Sequence, residues 1–199
     1  MALVRAPIGL LIWIWTVLSE RMWPLGHAAI AYLCYTVSTR ARFDSPPAPL
    51  PVLIVLFGSQ FPDLVDKPLA WYLGVLPTGR TLAHSLLLLV PLSLAIYALA
   101  RHAGRAEYGI AFAIGAISHA LVDALPVLWG GTSADFLLWP LIPVESYESG
   151  APTILGLLFD SLGDPYFLSE FVIAALAFVM WRRDGYPGLE IFSRPRSEH

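Results

Sequence analysis

Six stretches of this chain are nearly free of charge: 7–18, 23–38, 50–62, 82–100, 107–129 and 166–181. Several approach the roughly 20 apolar residues that a helix needs to cross a bilayer. The pattern predicts an all-α fold, a polytopic transmembrane helical bundle of five to six membrane helices embedded in a lipid bilayer. The run at 50–62 is short and is expected to span only in part. Composition agrees: 57% of the residues are hydrophobic and 14% charged, with a mean hydropathy of +0.65, whereas a soluble domain carries about a quarter charged residues. A net charge of -3 and the lack of a Lys/Arg-rich run set nucleic acid aside as a partner.

Polar punctuation separates the runs: "STRARFDSPPAP", "DKPLAWYLGVLPTGR", "RHAGRAE" and a terminal "RRDGYPGLEIFSRPRSEH". Residues 130–165 hold short apolar pieces broken by Gly and Pro, too short to span and too oily for a free linker, and are expected to form a re-entrant or lid region lying on the bundle. Residues 1–21 read as an N-terminal anchor helix or as an over-long start ahead of Met22, 22–183 as the membrane domain, and 184–199 as an exposed tail. Cys34 is the lone cysteine, so no disulfide or cysteine-type zinc site follows, and a helix-packing role is expected of it. If the runs from 23 to 181 alternate in direction, Arg40 and Arg42, Arg101 and Arg105, and Arg182 and Arg183 share one face, which the positive-inside rule makes cytoplasmic. Lys67 and Arg80 fall on the other.

Ionisable groups inside spans are costly and usually face the bundle interior or a water-filled cavity. His27 stands near the start of its run, Asp63 and Asp66 at the end of the next, His84 near the start of the third, and His119 and Asp123 toward the end of the fourth. Start, end, start, end in an up-and-down bundle is one face. At about 1.5 Å per residue, His27 lies roughly 20 Å from Arg40, His84 roughly 25 Å from Arg101 and His119 roughly 21 Å from Arg105, and Asp63 joins the same layer about 18 Å along a helix starting at Pro51. Residues three or four apart share a helix face, so "HALVD" presents His119 with Asp123, and "PDLVD" presents Asp63 with Asp66 if the helix continues past Pro62.

Imidazole nitrogen and carboxylate oxygen are ligands for zinc and similar divalent ions such as manganese, and a catalytic site leaves a position for water. Each element alone has a plainer reading: an intrahelical hydrogen bond for "HxxxD", a helix-end cap for "PDxxD", an interfacial anchor for Arg80. His102, among arginines, is expected to be solvated, and His199 belongs to the tail. The functional case rests on convergence.

The set "WPLGHAAIAY", "FGSQFPDLVDKP", "GRTLAHSLL", "GAISHALVDALP" and "LLWPLIP", in this order from about Trp23 to Pro143, resembles the YdjM-like inner-membrane metal-dependent hydrolases. With "MWP" leading into the histidine, it is similar to the archaeal branch of that family, where Met22 would be the start. The resemblance implies a polytopic membrane protein with a divalent metal and a distant likeness to the helical phosphoesterases of the zinc-dependent phospholipase C and P1 nuclease group. It further implies His27, Asp63, Asp66, His84, His119 and Asp123 as ligands or water-activating groups, with Arg80 as a phosphate or oxyanion contact. The family's usual motif has a second histidine just before the arginine and a threonine just before His84. Gly79 and Ala83 stand there in this chain, which removes one potential ligand.

The leading expectation is therefore a membrane-embedded hydrolase acting on a phosphoester or another lipid ester from the non-cytoplasmic face. Asp66 or Asp123 would serve as general base and Arg80 would stabilise developing negative charge. Trp129 and Trp139 would line an acyl groove or belong to an aromatic belt, and Asp135, Glu145 and Glu148 are further acidic groups in that outer region. The competing classes are a transporter or proton and metal-ion relay using the same cluster, and a structural metal-binding membrane protein.

Overall fold

The computed structural model describes residues 23–129, 133–146, 154–162 and 165–190. Every regular element among them is helical: α1 (Pro24–Phe43), α2 (Pro49–Gly58), α3 (Phe61–Trp71), α4 (Leu86–His102), α5 (Ala106–Ala124), 3-10 turns at Leu125–Trp129 and Asp135–Leu138, α6 (Ile154–Ser161) and α7 (Pro165–Arg183). The stretch Ala106–Leu128, α5 with the turn that extends it, is long and apolar enough to cross a membrane. Of the other expected spans, α4 is apolar but shorter, and α2, at 10 residues, reaches only about 15 Å. α1 and α7 have 20 and 19 residues and carry more polar side chains. Of the five to six membrane helices expected, one thus meets both length and composition among the described residues.

Proline sets the starts. It occupies the first turn of α1, α2 and α3, where its missing N–H costs no hydrogen bond and its fixed φ suits the helix. Pro62 also ends α2, because a helix running through it would lose the bond to the Gly58 carbonyl and clash there. The expected continuous helix from Pro51 past Pro62 is consequently two helices meeting at Ser59 and Gln60.

α5 is the central element, packed on α4, α2 and α1. Its inner face carries small residues, Gly109, Ala111, Gly115, Ala116 and Ala120, all buried. Backbones approach closely there: a Cβ on Gly115 would lie 2.4 Å from the Val55 carbonyl oxygen, and one on Gly58 would lie 2.8 Å from that of Phe112. Leu89, Phe112, Ala116 and Ala120 form one apolar cluster, and Ala31, Tyr35, Val55 and Ala111 another.

Two buried carboxylates fix α7 along α1. Glu170 accepts from the backbone N–H groups of Trp23 and Gly26, the latter at 3.1 Å, and so sets a carboxylate at the positive start of α1. Asp184 accepts from Tyr32 Oη at 2.6 Å and Thr36 Oγ1 at 2.7 Å and pairs with Arg40. Position 184, expected to open an exposed tail, is buried instead; residues 191–199, His199 among them, lie outside the described residues, as do residues 1–22. Arg42 pairs with Glu107, which also accepts from Tyr35 Oη at 3.2 Å. The C-terminal ends of α1 and α7 and the N-terminal end of α5 are therefore neighbours, as an up-and-down course requires. Cys34 is exposed on α1 rather than packed between helices.

Candidate metal centre

The opposite end of the bundle gathers the histidines. Where Pro62 ends α2, the Ser59 carbonyl is released from helical bonding and accepts from His119 Nδ1 at 2.6 Å. A carbonyl only accepts, so Nδ1 carries the proton and His119 Nε2 presents a lone pair. His84 is fixed in the same way by a carboxylate. Asp66, fully buried, accepts from the backbone N–H groups of Thr81 and Ala83 at 2.8 Å each, from that of His84 at 3.3 Å, and from His84 Nδ1 at 2.8 Å. The loop before α4 is wrapped around this one side chain.

His84 itself precedes the helix rather than starting it. Ser85 is the N-cap, accepting from Leu87 N–H at 3.2 Å and donating to the Trp139 carbonyl. This second bond ties the Asp135–Leu138 turn over the site, with the Phe136 ring edge-on to His84 at 6.1 Å. Part of the expected lid region does lie on the bundle; residues 130–132, 147–153 and 163–164 are outside the described residues.

With their Nδ1 atoms committed, His84 and His119 turn Nε2 toward each other at 3.1 Å. Asp63 Oδ1 lies 3.6 Å from His84 Nε2 and 3.7 Å from His119 Nε2. Asp123 Oδ2 lies 3.5 Å and 3.9 Å from the same two atoms. Each carboxylate is also held by a cation: Lys67 pairs with Asp63 and Arg80 Nε sits 2.8 Å from Asp123 Oδ2. His27 Nε2 meets the other Asp123 oxygen, Oδ1, at 3.3 Å, and its ring stacks on His119. Lys67, Arg80 and Asp63 retain side-chain exposures of 33%, 20% and 12%, whereas His84 and His119 have none, so access to the cluster runs past the two cations.

The family model for YdjM inner membrane protein matches residues 22–191. The chain belongs to the YdjM inner membrane protein family. No curated protein and no solved structure matches it. Family membership makes this a membrane protein, and the geometry shows which residues of this YdjM chain the fold brings together.

The residues fit a divalent ion. Two lone pairs facing each other at 3.1 Å repel unless an electron-pair acceptor lies between them. Neighbouring donors around a tetrahedral zinc with bonds of about 2.0–2.2 Å stand about 3.3–3.6 Å apart, close to the five donor separations of 3.1–3.9 Å above. Buried Asp123 Oδ1 and His27 Nδ1 also lack hydrogen-bond partners. Two overlapping groups have ligand spacing, Asp63 with His84 and His119, and His27 with His119 and Asp123.

Sequence spacing does not tell two members apart. Asp63 and Asp66, expected on one face, both lie on α3 and both meet the His84 ring, but at opposite nitrogens, because the loop before α4 folds over Asp66. With four N–H donors on its oxygens, Asp66 orients His84 and is not placed as ligand or general base. The oriented imidazole is the arrangement usual around metal-binding histidines. Arg80, read as a substrate contact, is engaged by Asp123. A side chain at Gly79 would begin 3.3 Å from Lys67 Cγ and Trp71 Nε1, against the cation rather than the imidazoles. Asp135 and Glu145 belong to neither group with ligand spacing, His102 is exposed, and Glu148 and the Trp129 side chain lie outside what is described. Ser59 was missed: a backbone carbonyl has no signature beyond the proline three residues later.

Proposed function

We propose that this YdjM-family chain is a multi-pass membrane hydrolase that depends on a divalent metal, zinc or manganese, and cleaves a phosphoester or another ester of a lipid. The observation that carries the reading is the convergence of His84 Nε2, His119 Nε2, Asp63 Oδ1 and Asp123 Oδ2, with both imidazole tautomers fixed from behind. A divalent ion held there supplies Lewis acidity toward an ester oxygen and toward water. The chain does the rest. Asp66 and the Ser59 carbonyl keep the ring nitrogens aimed at the cluster. Lys67 and Arg80, at its accessible side, attract an anionic headgroup and oppose charge building on the ester. Exposed Leu94 and Leu99 on α4 and Phe171, Val172 and Leu176 on α7 suit contact with acyl chains and support several membrane helices. The basic ends of α1, α4 and α7 on the cytoplasmic side would leave the cluster facing the other leaflet.

A relay is the second reading, favoured by the buried His27, Tyr35, Thr36 and Thr39 along α1. Ala31, Val55 and Ala111, all 0% exposed, separate that polar row from a hydrogen-bonded path, which favours a one-sided pocket.

Elemental analysis of the full chain in detergent, beside a His84→Ala, His119→Ala double variant, tests the proposal. Stoichiometric metal in the parent and none in the variant is expected, followed by metal-dependent cleavage in a phosphoester and lipid-ester screen. A folded parent that takes up no added metal sinks the hydrolase. Metal-dependent proton flux in liposomes without cleavage would favour the relay.

A further inference from the structure

The two groups with ligand spacing share His119, which leaves open whether His27 binds the same ion as His84. Ring planes decide it. A metal bound by an imidazole nitrogen along its lone pair lies in the plane of that ring, so two histidines on one ion must have planes that meet at the ion. The His84 and His119 rings are inclined at 64° with centroids 5.0 Å apart and their Nε2 atoms are adjacent, so their planes cross at the cluster. The His27 and His119 rings are inclined at only 19° with centroids 3.8 Å apart. Taking 3.8 Å as the separation and dividing by the tangent of 19°, these planes meet about 11 Å away, roughly five times a Zn–N bond of about 2.0–2.1 Å.

His27 also addresses a different oxygen. His84, His119 and Arg80 gather on Asp123 Oδ2, while His27 Nε2 stands at Oδ1. No hydrogen bond joins the two, since Oδ1 has no partner, so His27 acts on the cluster through its ring, which is stacked on His119 and braces it.

We infer that the centre binds one ion through Asp63, His84 and His119, which leaves a position for water, and that His27, which family resemblance makes a ligand, is a positioning residue that braces His119. The inference rests on the metal-centre reading above.

X-ray absorption on the zinc-loaded full chain counts imidazoles without any variant: two per zinc, at one zinc per chain, is the expected result. His27→Phe, which keeps a flat ring against His119 and has no ligand nitrogen, retains one equivalent and an unchanged Co(II) ligand-field spectrum. His27→Ala also retains the equivalent but binds about 10- to 100-fold more weakly, the usual effect of losing an outer partner. A purely structural role would weaken both variants alike. Three imidazoles per zinc, two zinc ions per chain, or loss of metal in His27→Phe with the fold intact overturns the assignment and leaves the metal centre standing. No metal in the folded parent overturns both.

Discussion

Replacing Gly115 with Ala should damage the metal centre without touching any ligand. The new Cβ would lie 2.4 Å from the Val55 carbonyl oxygen, 2.8 Å from Ser59 N and 3.0 Å from Gly58 C. All three are backbone atoms, so no side chain can rotate away. An ordinary contact begins at 3.4 Å, and α2 must therefore retreat by about 1 Å. Its C-terminal end carries Ser59, whose carbonyl holds His119 Nδ1 at 2.6 Å; the same retreat breaks or bends that bond. Overpacking costs about 1–3 kcal/mol, and a lost outer partner costs about 10- to 100-fold in metal affinity. Gly109→Ala is the matched control. Its Cβ would sit 2.4 Å from Tyr97 Cα, a clash of equal severity, but between α5 and α4 and away from Ser59. Thermal unfolding in detergent should show both variants destabilised, while competition titration with a chelator should show weakened zinc binding in Gly115→Ala alone. Equal metal affinities in the two variants would refute the link between the helix contact and the imidazole.

Asp66→Asn should bind zinc about 10- to 100-fold more weakly in the same titration while still saturating at the parent's stoichiometry, because the orienting partner of His84 is lost and the facing atoms are not. Glu170→Gln should lower stability by about 0.5–2 kcal/mol, measured by thermal unfolding, since the start of α1 loses a charged acceptor for the Trp23 and Gly26 N–H groups. Asp184 gives a pH signature. Burial alone would raise its carboxyl pKa, but hydrogen bonds from Tyr32, Thr36 and Arg40, with the Arg40 charge, hold it below the ordinary carboxylate value. The stabilisation is therefore complete above the unfolded value of about 3.9 and fades as pH falls through the lower folded value. Unfolding temperatures recorded from pH 7 to pH 3 should fall less steeply in Asp184→Asn than in the parent.

Depth was legible in the sequence, and direction was not. Counting residues from Arg40, Arg101 and Arg105 places His27, His84 and His119 in one layer because rise per residue is a fixed quantity in a helix, and the layer exists. Which way each ring nitrogen points depends on breaks in helices, where that count stops. Pro62 is visible in the sequence as a breaker, but two consequences of the break, the freed Ser59 carbonyl and the fresh start of α3, follow only when α2 and α5 are packed through Gly58 and Gly115. Asp63 and Asp66 share a face of α3, as three residues of helix require, and the loop folded over Asp66 is what makes one a candidate ligand and the other an orienting group. His119 and Asp123 obeyed the i, i+4 rule because α5 runs unbroken through both. The same distinction explains Asp184: its position after the last apolar run looked like a tail, yet a carboxylate one residue past α7 lies within reach of Tyr32, Thr36 and Arg40 once α1 and α7 run side by side. Spacing rules hold inside a helix, and this site is assembled mostly at helix ends, where backbone carbonyls and N–H groups without helical partners are available to hold a side chain still.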